Sequence, residues 1–294
     1  MTKVNHLTIT FAALIVLLMA GVATADSRIA HIQKNSVIRI GTRPSAAPFS
    51  HVDMNGVFQG FSVDIGKLIA TRLSSSLGVK ITPEFLPVNA QNRFEKVISG
   101  EVDIVCGLTT MTWDREKSVD FSLPIFVDGT RILVRRSGRS NSLDNLRGKV
   151  IGVVANTTTV QIVAKSVPGV VIKEYPRLDD AIEDFDNGEL YGVANIGVFL
   201  AAARAKMGGA LTMELIPSSY SLTTEIIGCV LPPDDSAFRD QINKILFDSF
   251  KGIKNYLGAY SEIYFQWFGV ESDIRFPMTD AHKDLLNASK VWLE

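Results

Sequence analysis

The stretch Val88–Val134 constrains the chain most. It reads as helix, strand, polar loop and strand. Asn89 can cap a helix whose apolar face is Phe94, Val97 and Ile98, and Gly100 ends it. Val102-Asp103-Ile104-Val105 follows as a short, mostly apolar run of the buried-strand kind. Other strand-like runs are Val37–Ile40, Ile81–Leu86, Val150–Val154 and Val170–Ile172. Helical spacing carries the segments from Gly60 to Arg72 and from Leu178 to Gly188. These strands and helices together predict an α/β chain.

Directly after the run at Val102 come Gly107-Leu108-Thr109-Thr110 and then Arg115. Backbone N–H groups, threonine hydroxyls and a planar guanidinium fork suit an anion. Taken alone, the loop fits better an ordinary strand-to-helix connection with a solvated arginine.

Composition narrows the class. The 294 residues suffice for a sizeable core and two lobes. With 46% hydrophobic and 21% charged residues, the chain is globular and not disordered. Lys3 is the only charged residue in 1–25, so the remainder has 29 basic residues of the chain's 30, against 31 acidic ones. That balance gives no support for a nucleic-acid partner. No CxxC or Cys/His cluster suggests a metal site, and no cofactor motif is present.

Residues 1–25 have Lys3, an apolar run from Phe11 to Ala20, and Ala23-Thr24-Ala25. This is the pattern of a secretory signal peptide cut before Asp26. The apolar run is shorter than the roughly 20 residues of a membrane span. No cysteine lies near the cleavage site, which argues against a lipoprotein anchor. The expected location is the periplasm, an oxidising compartment.

Several short motifs fall in one order along the chain: Gly41-Thr42-Arg43 with Pro48-Phe49-Ser50, Gly60-Phe61-Ser62-Val63-Asp64, and Gln91-Asn92-Arg93. Cys106-Gly107 with Thr109-Thr110 and Arg115 follows, then Val119-Asp120-Phe121-Ser122, Val127-Asp128-Gly129-Thr130-Arg131 and Thr157-Thr158-Thr159. Together they resemble the family-3 bacterial extracellular solute-binding proteins of polar amino-acid ABC transporters, closest to the glutamate/aspartate-binding branch.

The resemblance implies a two-lobed, type II periplasmic binding protein fold with two crossing hinge strands. It implies lobe one over 26–127 and 228–294, and lobe two over 128–227. Arg43 and Arg93 match arginines that approach the ligand side chain. Arg115 matches the α-carboxylate arginine, and Thr110 its partner donating O–H and N–H. Thr157 and Thr158 lie at a helix N-terminus, where free N–H groups and the dipole hold an anion; simple capping explains the same residues. A surface cation at Arg43 and a helix-surface charge at Arg93 are the plain alternatives.

One departure matters. The resemblance expects an aspartate for the α-ammonium at Ile196, but the chain reads Asn195-Ile196-Gly197. Asn195 accepts a hydrogen bond but brings no charge. An amine-free dicarboxylate or another organic acid therefore stands beside an acidic amino acid as the ligand. A dehydratase of cyclic dicarboxylates is a rival, and it needs a proton-donating acid in the cleft. A ligand-sensing partner of a membrane receptor is another. The main expectation is a non-enzymatic, monomeric binder of a small anionic solute that serves an inner-membrane ABC permease. Cys106 and Cys229 lie where crossing and site strands would run side by side, so a disulfide is expected; two buried free thiols are the alternative.

Overall fold

The structure is a computed structural model and describes residues 27–136, 142–209 and 211–288. The signal peptide expected over residues 1–25 lies outside the described residues.

Helix α1 (Arg28–Asn35) leads into strand β1 (Val37–Thr42), and a small antiparallel sheet follows: β2 (Ser45–Ala46), β3 (Ser50–Val52) and β4 (Phe58–Gln59). Next come α2 (Phe61–Leu77), β5 (Thr82–Pro87), α3 (Arg93–Ile98), β6 (Ile104–Thr110) and β7 (Asp120–Asp128). The second half has β8 (Thr130–Arg135), β9 (Val150–Val154), α4 (Thr158–Ser166), β10 (Val171–Tyr175), α5 (Leu178–Asp186), β11 (Gly192–Ile196), α6 (Gly197–Lys206) and β12 (Met213–Ile216). Then β13 (Glu225–Leu231) is followed by α7 (Ser236–Ser249), α8 (Ala259–Phe268) and α9 (Asp280–Ala288).

Two five-stranded sheets share one plan, β5-β1-β6-β13-β7 and β10-β9-β11-β8-β12. In each, the first three strands run parallel, and a strand entering from the other half of the chain pairs antiparallel beside them. Each sheet with its helices forms one lobe of a type II binding-protein fold.

The chain crosses between sheets with little slack. β7 ends at Asp128 in the first sheet and β8 starts at Thr130 in the second, so Gly129 alone joins them. A Cβ on Gly129 would lie 1.8 Å from the Thr223 carbonyl oxygen, on the returning segment. The two crossings touch, and only glycine fits.

Some local expectations shift. Gly107–Thr110 is not a loop: β6 runs through to Thr110 because β13 pairs beside it, with Thr109 facing Gly228 and Thr110 facing Ile227. Asn89 Oδ1 accepts from the Gln91 and Asn92 N–H groups, capping a turn, and the helix itself begins at Arg93. Ile98 is 51% exposed and drops out of the apolar face. Cys106 of β6 and Cys229 of β13 form a disulfide with Cα atoms 4.4 Å apart, the spacing of a non-hydrogen-bonded antiparallel pair.

The first lobe's core is aromatic. Phe49, Phe61, Phe126, Tyr264 and Phe268 pack edge-on or tilted, apart from the stacked pair Phe126 and Tyr264, with Phe49 and Phe126 centroids 4.9 Å apart. The tail returns to this core through Met278 and Leu286. His282 is buried there, 2.9 Å from the Tyr260 hydroxyl, and burial lowers its pKa to about 4.

Two outcomes follow from this packing. Gly129→Ala should cost about 1–3 kcal/mol or more by overpacking, read as a fall in Tm. For His282, the folded pKa lies below the unfolded value, so unfolding takes up a proton between pH 6.5 and 4. Its contribution is complete above pH 6.5 and is lost as pH falls towards 4, on the order of 3 kcal/mol. The Tm advantage of wild type over His282→Gln should therefore shrink across that window.

Candidate functional site

The parallel strands of both sheets point their carboxyl ends into the space between the lobes, where open α/β sheets place ligands. β1 delivers Arg43, β6 delivers Thr110 and the loop to Arg115, and α3 begins with Arg93. From the second lobe, β9 leads to Thr157 and Thr158 at the start of α4, and β11 carries Asn195. All seven residues expected from the sequence line one chamber, together with Leu108, Thr159, Ile196 and Phe199. The inner chamber holds about 20 Å3, room for little more than one water, and it adjoins an outer cleft of about 540 Å3 past Arg43, Asn195 and Phe199.

The guanidiniums are held by neutral partners. Arg93 is 3% exposed; Nη1 donates to the Ala90 carbonyl and Nη2 to the Asn156 carbonyl at 3.3 Å, while Nε has no partner. Arg115 Nη1 donates to the Thr110 carbonyl at 2.5 Å. The Phe94 ring lies 4.5 Å from Arg93 Cζ and 5.5 Å from Arg115 Cζ. Elsewhere in the same lobe, Arg28 and Arg39 both pair with Asp103. Among the described residues no carboxylate forms an ion pair with Arg43, Arg93 or Arg115.

The electrostatic strain shows in the titration of these groups. Burial, with the charges of Arg43 and Arg115 behind it, lowers Arg93 to about 8. Burial and then the Arg115 charge lower Arg43 to about 10. Burial lowers Arg115 too, while Glu225 and Asp114 oppose it. Arginine keeps its proton near neutrality, so the chamber is a cationic site that an anion would relieve.

Sequence reasoning missed the acid of this site. Glu225, the first residue of β13, is 3% exposed. Its Oε2 accepts from Thr110 Oγ1 and Thr158 Oγ1, both at 2.7 Å. Its Oε1 accepts from Thr130 Oγ1 at 2.6 Å and Thr223 Oγ1 at 3.2 Å. The available signal was a single acid between Thr223-Thr224 and the apolar run Ile226–Leu231. Phe94, assigned only to a helix's apolar face, also escaped notice as the ring beneath two cations.

Other side chains are spent differently from expectation. The Thr110 hydroxyl, expected to donate to a ligand, donates to Glu225. Thr157 Oγ1 donates to the Val154 carbonyl and makes no cap bond. Asn195 Oδ1 accepts from the Ile196 N–H at 2.8 Å. Ile196 is 6% exposed in an apolar cluster with Phe49, Val198 and Phe199. The same residue lines the chamber.

Removing the buried charge at Arg93 should trade binding for stability. Arg93→Met should raise the Tm of the ligand-free protein in low-salt buffer, because an unpaired buried cation is gone. It should also weaken or abolish anion binding, read by calorimetry.

Comparison with known proteins bears on the family and the fold. Residues 38–270 match the family model of bacterial extracellular solute-binding proteins, family 3. A glutamate/aspartate import solute-binding protein of Escherichia coli (strain K12) is 28% identical over 275 residues, 87% of this chain and 87% of that protein. An L-glutamate/L-aspartate-binding protein of Pseudomonas aeruginosa is 27% identical, covering 93% of each chain. The crystal structure of an ancestral amino acid-binding protein, described as a precursor of cyclohexadienyl dehydratase, superposes with a TM-score of 0.70 at 26% identity, covering 82% of this chain and 99% of that one. With two such lobes and a matched segment spanning most of its length, the chain belongs to the bacterial extracellular solute-binding proteins of family 3.

Proposed function

We propose that the chain captures an acidic amino acid between its lobes in the periplasm and delivers it, as a monomer, to an inner-membrane ABC permease. Membership of family 3 makes it a solute-binding protein of ABC amino-acid transport; the choice of an acidic solute is the finer step. One observation carries that step: three guanidiniums share one chamber with no carboxylate partner among the described residues. A neutral amino acid brings one carboxylate and leaves at least one buried cation unanswered, whereas a second carboxylate answers it. The two relatives named for glutamate and aspartate support the same choice. In this reading Arg43 and Arg93 hold the side-chain carboxylate. Arg115 holds the α-carboxylate, with the N-terminus of α4 closing over it. The lobes part to admit the solute, since the inner chamber is far smaller than an amino acid.

A thermal-shift screen tests the reading. L-glutamate, L-aspartate, their amides, neutral amino acids and amine-free dicarboxylates are each added to the purified chain. A solute at about 100 times its Kd should stabilise the fold by about 2.7 kcal/mol. Acidic amino acids should give the largest shifts, and incubation with prephenate or arogenate should leave their masses unchanged. A screen in which no anion shifts the melt overturns the reading.

A further inference from the structure

We infer that Glu225 selects for an amine on the solute, acting through Thr110 and Thr158 in place of an acid at Ile196. This rests on the acidic-solute reading above and extends it from two carboxylates to two carboxylates and an ammonium.

The argument runs through hydroxyl protons. A threonine hydroxyl has one proton to donate and two lone pairs to accept with. Thr110 and Thr158 both give that proton to Glu225 Oε2. Their oxygens lie 3.5 Å apart, and both residues line the chamber. With their protons turned to the carboxylate, they offer the chamber lone pairs only. Thr130 and Thr223 fill the other oxygen of Glu225. Its four acceptor positions are therefore taken, and the carboxylate acts on the chamber through the two hydroxyls and not by direct contact.

The charges point the same way. A buried carboxylate is costly without a cation. Among the described residues Glu225 forms no ion pair; four hydroxyls hydrogen-bond it, and the one cation that it is seen to interact with, Arg115, does so through space and without contact. The chamber thus sets three guanidiniums and, behind two threonines, one carboxylate. An acidic amino acid has the complement, two carboxylates and one ammonium. An amine-free dicarboxylate would leave the paired hydroxyl oxygens without a donor. Asn195 Oδ1 already accepts one backbone bond and carries no charge, so it offers an ammonium a single neutral lone pair.

The test compares solutes that differ only in the amine: L-glutamate with glutarate, and L-aspartate with succinate, by calorimetry on the purified chain. Wild type should bind the amino acid of the better pair at least about tenfold tighter than its amine-free analogue, the worth of one charged hydrogen bond. In Glu225→Gln that ratio should fall to about threefold or less. Thr158→Val should lower the same ratio, which keeps the question answerable if Glu225→Gln does not fold. A role in which Glu225 merely ties β13 in place would weaken both solutes together and leave the ratio intact; that result overturns the inference. Equal wild-type affinities also overturn it while the acidic-solute reading survives. If neither solute of either pair binds, the acidic-solute reading falls and the inference with it.

Discussion

Mutual repulsion among Arg43, Arg93 and Arg115 is the constraint around which the site is built. Each guanidinium is lowered by burial, and Arg43 and Arg93 also feel their neighbours' charge. The fold holds Arg93 and Arg115 in place without neutralising them. It uses the carbonyls of Ala90, Thr110 and Asn156 and the face of Phe94. A carboxylate in those positions would fix the arginines more firmly and would remove the field that attracts an anion. Asp103 shows the other solution in the same lobe, since its carboxylate pairs with both Arg28 and Arg39. The contrast separates cations paired within the fold from cations left without a carboxylate at the chamber.

Legibility of the sequence followed distance along the chain. Arg43, Thr110 and Thr158 were readable because each sits in a short motif, contained within a few residues, that resembles the family's pattern; the strand-end position alone fits an ordinary loop or cap equally well. Glu225 was not readable, because its partners Thr110 and Thr158 are 115 and 67 residues away. Nothing near Glu225 in sequence announces them. The same cause misled the reading of Gly107–Thr110 as a loop. Its glycine and hydroxyl residues suggest a turn, yet β13, arriving from more than a hundred residues later, pairs with it as a strand. At Ile196 the sequence showed that an acid was absent but not why. In the fold that position both lines the chamber and joins the apolar cluster that holds Phe49 and Phe199.

The two lobes contribute unequally to the chamber, and this bears on how a solute is trapped. Every charged residue lining the inner chamber comes from the first lobe. The second lobe supplies a helix N-terminus, threonines, Asn195 and apolar side chains. An anion therefore gains most of its attraction from the first lobe, before the second has moved. Closure then adds contacts that need both lobes: Arg93 to the Asn156 carbonyl, Thr158 to Glu225, and Phe199 against Phe49. A solute shifts the balance only by what it gains in the closed form over the open one. That difference must come from groups on the second lobe: the N–H groups at the start of α4 and the hydroxyl of Thr158. In the acidic-solute reading proposed above, the cations set whether an anion is held at all, and the smaller set of neutral groups opposite them sets whether the lobes close on it.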